Sequence, residues 1–316
     1  MLVETHPNQA QAILRAMRQV VTCSGRTRLS DAGHSALTAA ARHVFAESGL
    51  RAENLPAIAA RELAGILLDE TTAKWAVRFL SVMALVDGVL DNDKIALVLE
   101  YATALRVHEP YLKQLSEAAR DNLAWALTDM TRQNIKSLWN QPWRDEDDVM
   151  ALFLPYSGDH ADSMLVARHE ALGALPAGTL GRGYWEIYKK NGYAFPGDPK
   201  GVNAAFARPH DSTHVLSGYD TTPEGEILVS TFTAGMHPVL PMEGHILPVI
   251  FSWHLGVEIN KLAGSARGAL DPERFWSAWV RGAHTTVDLF ASDWDFWSHV
   301  EEPVEHLRQR YHVRAL

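Results

Sequence analysis

The chain has 316 residues, a formal charge of −9 and a single cysteine, with 47% hydrophobic and 21% charged residues. The length suits two ordinary domains, and the composition is that of a globular chain, not a disordered one. The acidic balance argues against a general nucleic-acid binder, whose phosphate contacts need a basic face, and one cysteine leaves neither an internal disulfide framework nor a cysteine-based zinc site.

The first residues, Met1 to His6, lack the basic region and apolar core of a signal peptide. Further along, Glu243, His245, Pro248, His254 and Glu258 interrupt the most apolar stretch before it reaches the ~20 residues of a membrane span. The expected location is the cytoplasm, with a peripheral membrane contact left open.

Residues 1–140 read as an all-α bundle. Apolar residues recur at helical spacing in Ala36 to Phe45, Ile58 to Leu68, Trp75 to Val86 and Ile95 to Leu105. Short breakers separate them at Ser48-Gly49, at 69–72, at Asp87-Gly88 and at Glu109-Pro110. Thr71 or Thr72 is expected to cap the Trp75 helix, and Pro110 suits a first helical turn. Residues 141–159, with the acidic run 145–148, read as a linker with a solvated surface.

Residues 160–316 read as a second helical domain, richer in Trp, Gly, Pro and His. Helices are expected over Leu180 to Lys190 and Pro209 to Ser217, and another begins at Thr222-Pro223-Glu224. A Pro-kinked apolar stretch follows from Val239 to Ile259, and a last element starts at Asp271-Pro272-Glu273. His237, His245 and His254 lie in apolar surroundings, where a lone histidine is more often a hydrogen-bonded core residue than a ligand. Met236 and Met242 read as packing or as the wall of an apolar pocket.

The segment 208–226 carries the chemistry. On a helix, His210 and His214 lie about 40° apart on one face, the spacing two imidazoles need to grip one ion. Asp211 sits about 60° from His214. Gly218 ends the helix, a Tyr-Asp-Thr-Thr-Pro turn reverses the chain, and Glu226 falls in the first turn of the next helix. A histidine pair at this spacing also occurs on ordinary surfaces beside a capping carboxylate. Asp211, the turn and Glu226 together favour a divalent-metal site with an open position.

This pattern, His210-Asp211-x-x-His214 followed after eleven residues by Glu226, resembles the metal motif of the fourth Coq protein family of ubiquinone biosynthesis. The resemblance covers about residues 160–314. It includes Leu175-Pro-Ala-Gly-Thr-Leu-Gly-Arg-Gly-Tyr-Trp-Glu, Gly225 to Phe232, and the closing Trp279-Val-Arg-Gly282, Asp293-Trp294 and Leu307-Arg308. It implies a helical protein peripheral to the inner membrane that binds a divalent ion, usually zinc, and a prenylated quinone precursor. Oxidative decarboxylation at ring carbon one and contacts with other biosynthetic enzymes are also implied. His210, Asp211, His214 and Glu226 inherit the ligand roles by position, with Asp211 and Glu226 placed to act catalytically. Ser212 and Thr213 stand where bulkier residues are common, and the family normally lacks the N-terminal half.

That N-terminal half more faintly resembles the TerB-like domain of tellurite-resistance proteins, through Phe79 to Lys94 with its acidic Asp-Gly turn. Asp87, Asp91 and Asp93 suit either a cation or a plain turn with a helix cap, and they lack the EF-hand order. Arg182 and Tyr184, with Trp185, Tyr188, Lys189, Lys190, Tyr193 and Lys200, suit either a charged head group at a membrane surface or a buried stripe with solvated lysines.

Three functions remain. The favoured one is a metal-dependent enzyme acting on a lipophilic aromatic carboxylate. The second is a non-catalytic lipid-binding scaffold with a structural metal. The third is a metal-dependent hydrolase, since HDxxH echoes HExxH with a base one methylene shorter. No Gly-rich dinucleotide fingerprint is present.

Overall fold

The computed structural model describes residues 5–47, 49, 51–139, 161–259 and 264–316. The expected linker at 141–159 lies outside the described residues. Among the described residues there are helices and no strands, with isolated bridges only at Thr179–Pro303 and Leu255–Arg267. The fold is all-α, as the periodicity predicts. No helix among the described residues is long and apolar enough to cross a membrane.

The first half contributes α1 (Pro7–Val21), α2 (Asp31–His43), α3 (Ala60–Ile66), α4 (Glu70–Leu85), α5 (Asn92–Ala104), α6 (Pro110–Ala119) and α7 (Leu123–Trp139). Proline opens α6 as expected. The cap of α4 is Asp69 rather than Thr71 or Thr72: its carboxylate accepts the Thr72 N–H at 2.7 Å, so the helix starts earlier than expected. The acidic turn before α5 also serves as a cap. Asp91 accepts the N–H groups of Asp93 and Lys94, Asp87 binds Ser30 and Lys94, and Asp93 faces Arg26 at 3.2 Å. All three carboxylates are engaged by protein groups.

The second half contributes α8 (Ser163–Glu170), α9 (Leu180–Asn191), α10 (Ala204–Ser217), α11 (Pro223–Met236), a π-helical segment (Pro241–Ile246), α12 (Leu247–Trp253), α13 (Pro272–His284) and α14 (Val304–Arg310). Helix α10 starts before the expected Pro209. Asn203 caps it by accepting the Ala205 N–H at 2.9 Å, and Pro209 is carried inside the helix.

Two apolar cores meet at the α11–α13 pair. One is built from Leu180, Tyr184, Phe232, Phe296 and their neighbours in the second half. The other holds the N-terminal helices together with Ile246, Ile250, Phe251, Phe275, Trp276 and Trp279. The apolar packing is therefore continuous from the first half into the second. Trp276 and Trp279 pack edge-on against Phe79 at 5.2 and 5.7 Å between ring centroids. Helices α11 and α13 approach so closely that a Cβ on Gly282 would lie 2.0 Å from the Phe232 carbonyl oxygen.

Polar ties reinforce this junction. His237 sits between the Asp288 carboxylate (2.7 Å) and the Ser137 carbonyl on α7 (2.8 Å). Glu243 accepts the Tyr111 N–H at the start of α6 (3.2 Å), and Asn134 donates to the Gly244 carbonyl. His254 bonds the Val86 carbonyl (3.0 Å) and accepts the Leu270 N–H (3.2 Å). His237 and His254 are thus hydrogen-bonded core residues.

Candidate metal centre

Helix α10 places His210 and His214 one turn apart, with Asp211 beside them. Gly218, at φ 82°, ends that helix with a left-handed residue that favours glycine. The reversal is fixed by Asp220, which accepts the Thr222 N–H at 3.1 Å. Thr222 in turn caps α11 through the Gly225 N–H at 3.1 Å. Glu226, in the first turn of α11, therefore points back at α10.

His210 Nε2 and His214 Nε2 stand 3.3 Å apart. Glu226 places one carboxylate oxygen 3.4 Å from the first and the other 3.5 Å from the second. Two donors each about 2.05 Å from a tetrahedral zinc ion would be about 3.3 Å apart. The observed edges match that spacing. His210, Asp211 and His214 also offer donor atoms within 4.8 Å of one another.

The surrounding hydrogen bonds orient these groups. His214 Nδ1 is 3.0 Å from the Tyr219 carbonyl, an acceptor, so Nδ1 carries a proton and Nε2 is the nitrogen turned to the cluster. Tyr188 donates to Asp211 Oδ2 at 2.7 Å, and Tyr184 donates to Tyr188 at 3.0 Å. Phe206 stacks on His210 at 4.8 Å.

The protein alone balances charge within the cluster. Burial pulls the His214 imidazole down, but the hydrogen bond and charge of Glu226, with the Asp211 charge, outweigh it and push it up to about 9. Burial would raise Glu226, yet its bonds to His210 and His214 hold it far below the usual carboxylate range. Asp211 is pushed up by burial, against the pull of the two histidines and Tyr188.

His210 and Glu226 open onto a cavity of about 280 Å³. Its walls come from both halves: Met130, Thr131 and Asn134 on α7 face Phe206, His245, Pro248, Val249 and Trp253. Tyr193, 48% exposed, lies among the lining residues.

Of the four expected ligands, His210, Asp211 and His214 share one cluster, and Glu226 faces the two histidines. The two expected substrate residues lie elsewhere. Arg182 donates to the Gly173 carbonyl (2.7 Å) and to Glu186 (2.8 Å) and covers Trp185, so its guanidinium is held within its own neighbourhood. Tyr184 is fully buried and acts behind Asp211, through Tyr188. Neither lines the cavity, and neither do Met236 and Met242, which are core residues. Of the basic-aromatic set, Tyr193 reaches it.

Sequence reasoning missed Tyr188 as the Asp211 partner, although the Tyr184–Tyr188 pair at helical spacing marks one face. It also missed α7 as a cavity wall, for which no local signal exists. No protein-family model matches the chain, and no curated protein matches it.

Proposed function

We propose that the chain is a divalent-metal-dependent enzyme acting on a lipophilic aromatic carboxylate of the quinone-precursor kind, by oxidative decarboxylation at the ring. The observation that carries this reading is the convergence of two imidazole nitrogens and the Glu226 carboxylate, at 3.3–3.5 Å, on the wall of an apolar cavity. His210, His214, Asp211 and Glu226 would hold the ion, and a divalent ion so held supplies Lewis acidity toward a carboxylate oxygen. Two imidazoles with carboxylates suit zinc, and they suit ferrous iron where dioxygen is the oxidant.

The chain's own residues do the rest. Phe206, Val249 and Trp253 exclude water from the body of the ligand. Tyr188 fixes Asp211 while Glu226, partly exposed to the cavity, is the ligand free to shift as substrate enters. A cavity of about 280 Å³ is nearly twice an apolar cavity of ~150 Å³ that holds benzene. It encloses a ring with a short substituent, and a longer prenyl tail would leave past Tyr193.

The test is incubation of zinc- and iron-loaded protein with short-chain prenylated benzoates, following loss of carbon dioxide by mass spectrometry. Turnover that disappears in His210→Ala/His214→Ala supports the enzyme. Saturable binding without turnover under either metal would leave the lipid-binding scaffold.

A further inference from the structure

The π-helical segment Pro241–Ile246 contributes Gly244 and His245 to the wall of the cavity onto which His210 and Glu226 open. Such segments are rare and concentrate at functional sites, because the wider turn re-aims one side chain. Here the segment starts from Leu240 in a left-handed conformation, φ 49°, unusual for a residue bearing a Cβ. The first half holds it in place through the Tyr111–Glu243 and Asn134–Gly244 bonds. Helix α7 leaves no room for a larger residue at 244, since a Cβ there would meet Ser137 Oγ at 2.7 Å.

The side chain this segment delivers to the cavity is His245. It is 5% exposed, and its ring stands edge-on to His237 and Phe290, each at 5.6 Å. Its Nε2 is buried with no hydrogen-bond partner among the described residues. The other two histidines of the apolar stretch, His237 and His254, are both paired at short distance. A buried ring nitrogen left without a partner costs free energy, and because His245 lines the cavity a ligand atom that reached the ring would recover that cost. Burial, together with the nearby His237 and His210, keeps the ring neutral, with one N–H and one lone pair.

We propose that His245 is a specificity-determining residue of this cavity, giving the unpartnered Nε2 to a hydroxyl group on a compact apolar carboxylic acid whose carboxylate lies at the His210–Glu226 end. The inference rests on the reading of that end as a metal centre. A hydroxyl is the fitting partner because it both donates and accepts, and so pairs with either tautomer of the neutral ring. The acid's apolar body occupies the space between Phe206, Val249 and Trp253.

The experiment uses the full chain and two kinds of probe. Zinc alone is titrated first, in competition with a chromophoric chelator. Benzoate and the three monohydroxybenzoates are then titrated into zinc-loaded protein by calorimetry, for wild type, His245→Phe and His245→Asn. The expected result is that at least one hydroxybenzoate binds wild type about tenfold more tightly than benzoate, the worth of one hydrogen bond. His245→Phe should erase that preference while leaving zinc affinity within about twofold, and His245→Asn should retain part of it. If zinc binds but no hydroxybenzoate is preferred, or if the preference survives in His245→Phe, the ring nitrogen does not read a hydroxyl and the proposal falls while the metal centre stands. Should His245→Phe fail to fold, His245→Asn makes the same comparison, and an undiminished preference there overturns the proposal. Absence of zinc binding in wild type removes both readings together.

Discussion

Replacing Tyr188 by Phe removes one oxygen atom and tests how the proposed metal ligands are held. The Tyr188 hydroxyl donates to Asp211 Oδ2 at 2.7 Å and accepts from Tyr184 at 3.0 Å; both tyrosines are buried and Asp211 is partly buried. Its loss leaves a carboxylate oxygen without its donor and the Tyr184 hydroxyl without its acceptor. A hydrogen bond to a charged group is worth about 1.5–3 kcal/mol. Deleting such a partner of a metal ligand typically weakens the ion about 10–100-fold, or roughly 1.4–2.7 kcal/mol, so the two ranges agree. Chelator competition on Tyr188→Phe should therefore show zinc affinity down at least tenfold. Tyr184→Phe, one bond further out, should lose less. Urea unfolding of the metal-free proteins supplies the control, since lost stability with zinc affinity unchanged would show that Tyr188 only packs the interior and does not orient Asp211.

Three further outcomes follow from the packing. Gly282→Ala would force a methyl to 2.0 Å from the Phe232 carbonyl and must separate α11 from α13, costing on the order of 3 kcal/mol, read as a lower urea midpoint; an unchanged midpoint would refute the close crossing. His169 is fully buried and depressed to about 4, by burial first and by the Arg208 and Arg168 charges, although its bond to the Leu165 carbonyl opposes the shift. The unfolded chain takes up this proton near pH 6.5 and the folded one only near 4, so the contribution is complete above 6.5 and is lost as pH falls toward 4, by about 2 kcal/mol at pH 5. His169→Phe should flatten that part of the stability profile, and an equal slope in both proteins would contradict the assignment. Residues 160–316 expressed alone would expose the faces of Trp276 and Trp279 that pack on α4, so the fragment should aggregate or lose cooperative unfolding, as a monomeric, cooperatively unfolding fragment would disprove.

What was legible in the sequence was local. Helical spacing alone places His210 and His214 on one face, and the Gly218 and Thr222-Pro223 signals return Glu226 to them, because each step depends only on near neighbours. The same local reasoning put a helix start at Pro209, where the observed α10 begins at Ala204 because the Asn203 cap outweighs one lost backbone bond. Arg182 looked available from its position in a basic-aromatic stretch, but the Gly173 carbonyl that occupies it belongs to a different turn. The α7 wall of the cavity and the π-helical segment were not legible at all. Both depend on contacts more than one hundred residues apart in sequence, such as Asn134 with Gly244. The unpaired His245 was invisible for the same reason, since a histidine in an apolar run looks like His237 and His254 until the partners are counted.

The most direct test of the account is the metal content of the protein itself. Full-length chain purified without added metal, and the His210→Ala/His214→Ala double variant purified alongside it, are analysed for bound elements by plasma mass spectrometry, with circular dichroism confirming that both are helical. The geometry at His210, His214 and Glu226 predicts about one divalent ion per wild-type chain, by the tetrahedral spacing of its donors, and almost none in the variant. Equal metal content in the two proteins, or none in either after zinc is supplied, would contradict the central claim.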